Sequence, residues 1–307
     1  MNTDTYDVAV VGGGAAGLSA ALVLGRARRR VAVIDDGQPR NAPATHMQGY
    51  LSRDGMPPAE LLAAGRAEVR AYGVELINDR VLEVTNGFTL VLESRTLRAR
   101  RLLLATGAVD RLPDFPGARE RWGRDFLHCP YCHGWEVRDQ PIGVVGTGPA
   151  SVDHAHLLRE WSDDVLFFAH TYPLTATERA VLNERGVGIV DGIIERLAVV
   201  DDRLEAVELV GGGSVTRTAL FIRPDLHPRE SGLVKSLGVE IDAGGFPKVD
   251  AIGRTNAPGV WVVGNAANPR AQVITAAGEG SAAAIDINND LVEEAVRDAH
   301  ERVTAAS

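Results

Sequence analysis

In three places along this chain a short apolar run, rich in β-branched residues in the first and third, breaks off at or near glycine. Asp7 to Val11 leads into Gly12-Gly13-Gly14-Ala15-Ala16-Gly17. Leu18 to Leu24 then carries apolar residues at helical spacing, and Val31 to Ile34 forms a second short run ending in Asp35. Arg101 to Leu104 leads into Ala105-Thr106-Gly107. Pro141 to Val145 opens onto Gly146-Thr147-Gly148-Pro149-Ala150-Ser151, followed by a helical stretch and a strand at Val165 to Phe168. Unbroken apolar runs of this length suit strands covered on both faces, and their alternation with helical spacing predicts parallel βαβ units. The fold class expected is α/β, with two doubly wound units.

The second unit interrupts the first. A proline-rich connection from Leu112 to Gly117 reads as a hinge or domain crossing. Residues 118–240 are expected as a domain inserted into one built from 1–117 and 241–307. The chain returns at Gly244 to Val249, passes through the run from Thr255 to Asn265, and ends with a predicted helix from about Ala271 and a solvated tail.

The first glycine cluster carries chemistry. G-x-G-x-x-G between a strand and a helix, with an acid about 20 residues on, is the dinucleotide-binding pattern. Its glycines permit the tight turn, the approach of a pyrophosphate and the packing of helix on strand. The helix start offers unpaired N–H groups to the anion, and Asp35 is placed to accept from ribose hydroxyls. A glycine-rich turn holding no ligand is the plainer alternative.

Composition narrows the class. With 45% hydrophobic and 24% charged residues in 307, the chain is of ordinary globular composition and long enough for two domains. A formal charge of −9 argues against a nucleic-acid partner. No apolar run is long enough to span a bilayer, and Met1 to Asp7 lacks the blocks of a signal peptide, so no membrane role and a cytoplasmic location are expected. The basic cluster Arg26, Arg28, Arg29 and Arg30 is expected to complement a helix C-terminus in solvent.

Cys129 and Cys132 are the only cysteines, in the run His128-Cys129-Pro130-Tyr131-Cys132-His133-Gly134-Trp135-Glu136. Closing so small a ring removes little chain entropy, so redox exchange is a better reading than a structural staple. Haem attachment at C-x-x-C-H needs export and a second axial ligand. A zinc site needs four well-spread ligands, which His128, Cys129, Cys132 and His133 are not, so no metal is expected. Glutaredoxins also contain Cys-Pro-Tyr-Cys, but the surroundings here are not thioredoxin-like. Trp135 and Glu136 read as packing and capping residues. His46 reads as a surface or packing histidine, with a place near a flavin as the alternative.

Four signatures in this order resemble the low-molecular-weight thioredoxin reductase family of flavoproteins: the first glycine motif, Ala-Thr-Gly, C-x-x-C in an inserted domain, and the T-x-x-P-G-V segment starting at Thr255. The resemblance implies two Rossmann-like domains, an FAD domain with an NAD(P)-like insert, and a homodimer. By position it implies FAD contacts from Gly12, Gly14, Ala15, Ala16, Gly17, Asp35, Ala105, Thr106, Gly107, Gly264, Asn265, Gln272 and Val273. A helix start at Gln272 and Val273 would favour the charge of a reduced flavin.

The departures from that family concern direction. Asn265 stands where the family usually has Asp, and Ser151 takes the insert's third glycine position. The run from Ala169 to Leu174 contains His170 but no arginine before Arg179, where reductases clamp the 2′-phosphate of NADPH. His133 replaces the reductases' Asp. This combination resembles the FAD-dependent dithiol oxidases of gliotoxin and holomycin biosynthesis, an antibiotic-pathway branch that closes disulfides in small molecules and passes electrons to O2. It implies Cys129, Cys132 and His133 as catalytic residues and a small dithiol as substrate. A thioredoxin or protein-disulfide reductase drawing on NAD(P)H or ferredoxin, and a flavin-binding redox sensor, stay open as alternatives.

Overall fold

A computed structural model describes residues 4–85, 87–229 and 231–306; the opening residues 1–3 of the leader reading lie outside them. The chain divides into two compact units, one of residues 1–42, 58–109 and 226–307, the other of 43–57 and 110–225.

The first unit begins with the expected βαβ start: β1 (Asp4–Val11), α1 (Ala15–Arg26) and β2 (Val31–Asp35). It continues with α2 (Pro58–Ala71), β3 (Glu75–Asn78), β4 (Val81–Thr85), β5 (Thr89–Leu92), β6 (Thr96–Leu104) and β7 (Ala108–Arg111), where the chain leaves for the second unit. β3, β2, β1 and β6 lie side by side and parallel, with β5 and β4 added antiparallel at one edge. The apolar runs earn two-sided cover: Val8, Ala9, Val10, Leu102, Leu103 and Leu104 are all inaccessible to solvent. Residues 81–92, read above without strands, form an antiparallel edge because alternation there is too short to announce itself.

The second unit contains α3 (Ala118–Arg121), β8 (Phe126–Leu127), α4 (Pro130–His133), β9 (Ile142–Val145), α5 (Pro149–Leu158), β10 (Val165–Phe168), α6 (Ala176–Glu184) and β11 (Val187–Val190). An antiparallel sheet of β12 (Ile194–Val200), β13 (Arg203–Leu209) and β14 (Ser214–Thr216) follows, then β15 (Ala219–Ile222). The order β11-β10-β9-β15-β8, all parallel, is doubly wound. Thr175 opens α6 as a capping box, accepting from the Glu178 N–H while the Glu178 carboxylate accepts from the Thr175 N–H.

After β16 (Asp225–Pro228), α7 (Ser231–Ser236) and β17 (Val260–Val262), the first unit closes with α8 (Val273–Ala305). The fold class is thus as read, two doubly wound domains with the second inserted in the first. Two local expectations hold in part: residues 295–306 are exposed, and Arg26 ends α1 with Arg28 and Arg30 exposed beside it. The solvated tail after the last helix is instead its continuation to Ala305. The arginine cluster is not idle in solvent: the Arg29 Nε donates to Asn288 Oδ1 at 2.7 Å, and Arg30 stacks over Tyr6 at 4.8 Å. Cationic stems beside rings and side-chain amides find partners that sequence spacing does not reveal. No helix among the described residues is long and apolar enough to cross a membrane.

One buried group in the second unit makes stability depend on pH. His154, on α5, is 2% exposed with its ring edge-on to Phe221, and neither ring nitrogen meets a partner of good geometry. Burial pushes its pKa down to about 3, and a weak pull from the His128 backbone does not offset that. An unfolded histidine titrates near 6.5, so between those values the unfolded chain binds the extra proton and stability falls as pH drops. At pH 5 the loss is about 2 kcal/mol. Urea unfolding at pH 7 and pH 5 is expected to shift in favour of His154→Leu over the wild type by that amount; an unchanged difference would remove the account.

Candidate active site

In the first unit the cofactor residues implied by resemblance converge on one turn. Gly12 has φ +108°, and a Cβ there would overlap the Ala105 carbonyl; a Cβ on Gly17 would overlap the Gly12 carbonyl oxygen. Both positions admit only glycine because backbone lies against backbone. Gly14 differs. It is the N-cap of α1, no side chain caps the helix, and a Cβ there would meet no protein atom within 4 Å. The open space beside Gly14 and the uncapped N–H groups of Ala15, Ala16 and Gly17 suit a pyrophosphate. Asp35 ends β2 and packs on Gly13, with the Arg66 guanidinium 3.1 Å from its carboxylate.

The chain's last segment reaches the same turn. The Cβ position of Gly264 lies 3.1 Å from the Ala16 methyl and 3.6 Å from that of Ala276 in α8. Gln272 caps α8 and Val273 is its first residue. Thr106 donates its hydroxyl to the Arg229 carbonyl at 3.2 Å, and the Arg229 N–H donates to the Gly107 carbonyl at 3.0 Å, a tie that sequence reading missed. The residues present fit a dinucleotide: a glycine cradle, a free helix start and an acid at the strand end.

Asn265 gains a reason. Its Nδ2 donates to the carbonyls of Asn268 and Ala271, both at 3.0 Å, while its Oδ1 accepts from Arg40 at 3.1 Å. An aspartate has no hydrogen to donate, so the amide is what folds the 265–271 loop here.

In the second unit Cys129 and Cys132 are joined as a disulfide with Cα atoms 5.2 Å apart. Cys129 is the N-cap of the one-turn helix α4, with Pro130 at its first position, and both cysteines are half-buried. The N–H groups of Cys132 and His133 both donate to the Cys129 carbonyl at 3.1 Å, which fixes the loop around the sulfurs. His133 closes that turn. Burial holds its imidazole below the usual pKa, against the pull of the Glu136 carboxylate. It is therefore neutral at pH 7 and able to accept a proton.

His133 faces a cavity of about 330 Å³ shared with His46, Gln48, Arg124 and Glu136. The Gln48 amide donates to Glu136 Oε1 at 3.0 Å. Glu136, expected as a capping residue, thus lines the cavity, and His46 does so too. Trp135, expected to pack, is 66% exposed beneath the Arg138 guanidinium, 3.9 Å from its ring. Residues 45–48 lie some 85 positions upstream of the motif, and no spacing rule announces them; Glu136 was within reach because it belongs to the motif. Among the described residues no cluster of His, Cys, Asp or Glu is arranged to hold a metal ion.

The insert's own glycine turn is altered. Ser151 is buried, and its hydroxyl accepts from the Thr147 N–H at 3.2 Å, occupying an amide of the turn. After β10, His170 has φ +46° and turns its ring inward. Its Nδ1 accepts from the Ile194 N–H at 3.1 Å, its ring lies edge-on to Phe115, and burial lowers its pKa. The Arg179 guanidinium is held by both oxygens of Asp191 at 2.5 and 3.1 Å. Neither side chain is left as a phosphate clamp.

Comparison with known proteins places this arrangement. The family profile described as pyridine nucleotide-disulphide oxidoreductase matches residues 6–280. The crystal structure of HlmI is 51% identical, covers 99% of both chains and superposes with a TM-score of 0.96. Thioredoxin reductase tcpT of Claviceps purpurea is 30% identical over 281 residues, 86% of this chain and 87% of that protein. A protein of Arthroderma benhamiae named "Probable thioredoxin reductase" is 32% identical over 191 residues, 59% of this chain, and the match spans 47%, about half, of that relative's length.

Proposed function

Since the chain belongs to the pyridine nucleotide-disulphide oxidoreductase family, we propose that its disulfide runs in the oxidising direction. It is read as an FAD-dependent dithiol oxidase that closes an intramolecular disulfide in a small dithiol natural product, with O2 as acceptor. The observation that carries this reading is the segment after β10, where His170 in the loop and Arg179 in α6 both meet protein partners. NADPH finds no uncommitted cation there to hold its 2′-phosphate, which favours a dithiol as the source of the electrons.

His133 supplies the proton chemistry. A substrate thiol with pKa about 8.5 is largely protonated at neutrality and a poor nucleophile, and a neutral imidazole beside the disulfide removes its proton. The resulting thiolate attacks the Cys129 sulfur. The Cys129–Cys132 bond breaks, the electron pair leaves on Cys132, and His133 returns the proton to that sulfur. The second substrate thiol then attacks the substrate sulfur of the mixed disulfide and releases the Cys129 thiol, so two electrons and two protons have passed to the enzyme. The cavity beside His133 is the entrance for that substrate, with Gln48 and Glu136 as its polar wall.

Gly12, Gly14, Ala15, Ala16, Gly17, Asp35, Ala105, Thr106, Gly107, Gly264, Asn265, Gln272 and Val273 would hold FAD. When bound, FAD would supply a two-electron acceptor for the enzyme dithiol and a donor to oxygen. Anaerobic mixing tests the direction. A small dithiol is expected to bleach the flavin band within the turnover time, and NADPH at millimolar concentration to leave it intact. Rapid bleaching by NADPH would replace this reading with that of a reductase, and bleaching by neither would leave a redox-sensing flavoprotein.

A further inference from the structure

The cavity beside His133 carries a charge that the protein does not balance. Its lining residues all belong to the second unit, and besides two histidines only Arg124 and Glu136 among them are ionic side chains. Arg124 is answered from outside the lining. Its guanidinium pairs with the Asp202 carboxylate, which also accepts from Arg121 Nη1 at 2.8 Å, while Arg121 Nε donates to Asp125 at 2.7 Å. Two guanidiniums and two carboxylates cancel there.

Glu136 has no such answer. Its one side-chain partner is the uncharged Gln48 amide, which donates to Oε1 and orients the carboxylate; among the described residues no cation forms an ion pair with it. Arg138, two residues on, is held elsewhere, over the Trp135 ring and with Nη1 donating to the Trp135 carbonyl at 2.6 Å. His133 is kept neutral by burial and adds no positive charge, and the Glu136 field already reaches its imidazole. A cleft with one uncompensated sign of charge focuses that field on whatever enters.

We infer that Glu136 makes this cavity a filter on substrate charge: a small dithiol bearing an ammonium group or no charge is admitted to the disulfide, and one bearing a carboxylate is turned away. This rests on the reading of the cavity as the substrate's entrance and names the kind of dithiol that enters. At about 330 Å³ the space is at the small end of ligand pockets, roughly 9 Å across if rounded, so a charge carried into it stays close to Glu136. At about 5 Å a unit charge alters a rate about fourfold in bulk water and more beside a protein surface. An ammonium and a carboxylate differ by two such steps, and salt trims the product to about tenfold. Repelling the wrong partner in this way gives selectivity without any new contact to the right one.

Three probes share one dithiol and differ only in a remote group: dihydrolipoate, dihydrolipoamide and its aminoethyl amide are anionic, neutral and cationic at about pH 7.5. Reduction of the Cys129–Cys132 disulfide in the intact protein, mixed anaerobically and trapped by alkylation, gives a rate for each. The remaining surface charge is screened beyond about 8 Å at an ionic strength of about 0.15 M. The cationic probe is expected to react about tenfold faster than the anionic one, with dihydrolipoamide between them. Glu136 is exposed, so its substitution leaves the fold intact. Glu136→Gln is expected to bring the three rates within about twofold, and Glu136→Lys to reverse their order. Glu184→Gln, which removes an exposed carboxylate elsewhere in the second unit, should keep the wild-type spread. Equal rates in the wild type, or a spread that survives Glu136→Gln, would overturn the inference. The readout needs neither flavin nor oxygen, so oxygen uptake measured beside it judges the oxidase reading separately. Reduction graded by charge but without oxygen uptake would remove that reading and support this one.

Discussion

Cys132→Ser is expected to abolish dithiol-driven oxygen consumption, lowering kcat by at least about 10³-fold, because a lone sulfur at Cys129 accepts a substrate thiolate only if a disulfide is there to break. Cys129→Ser should fail to the same degree, since each sulfur is one half of a two-electron couple. The fold should survive both. The loop closed between residues 129 and 132 has a chain-entropy value of about 2 kcal/mol, so thermal unfolding should move by only a few degrees. Oxygen electrode traces with a small dithiol, run beside unfolding curves, separate lost chemistry from lost structure. Full turnover in Cys132→Ser would show that electrons bypass the disulfide, and the proposed mechanism would go with it.

Substituting alanine for Gly14 and for Gly17 should produce opposite phenotypes although the two stand three residues apart. The Cβ added at Gly14 has no protein atom within 4 Å and projects into the space assigned to a pyrophosphate. The folded apoprotein should lose no more than about 1 kcal/mol, the difference between a glycine and an alanine N-cap, while flavin retention should fall at least about tenfold. The Cβ added at Gly17 strikes the Gly12 carbonyl, which belongs to the turn itself. The apoprotein should lose about 3 kcal/mol, since neither α1 nor β1 can yield without breaking the sheet packing. Flavin content after gel filtration and urea unfolding of the apoprotein are the two readouts. Equal flavin affinity in Gly14→Ala and the wild type would mean that the cradle holds nothing.

Much of this molecule is local, and that part was legible. β10 begins and ends where its apolar run does, at Val165 and Phe168, and β2 runs from Val31 to Asp35 as read. These strands are buried on both faces, so composition alone marks them. The antiparallel edge of β4 and β5 is half-exposed and short, its sequence says little, and it went unread. The cysteine motif was visible because its residues are compressed into nine consecutive positions. Its cavity was not: residues 45–48 arrive from a connection between β2 and α2, and only folding brings Gln48 to Glu136.

The departures from the family pattern show the same division. That Asn265 is an amide, and that His170 stands where arginine was expected, could be read directly. Why they matter could not. Asn265 donates to two carbonyls of its own loop, and His170 is turned inward onto the Ile194 amide. Sequence left His170 as a weak cation; its surroundings make it a neutral acceptor.

By itself, then, the order of residues determined the two doubly wound units, the glycine turn and the paired sulfurs with a histidine beside them, because each depends on neighbours within a few positions. Tertiary structure decided how these groups are charged and what they face. It buries His154 without a well-placed hydrogen-bond partner, lowers the His133 pKa beside its cavity, and pins α8 so that one apolar face turns outward. Solvation and rotational setting depend on atoms contributed from distant parts of the chain, and no local pattern encodes them.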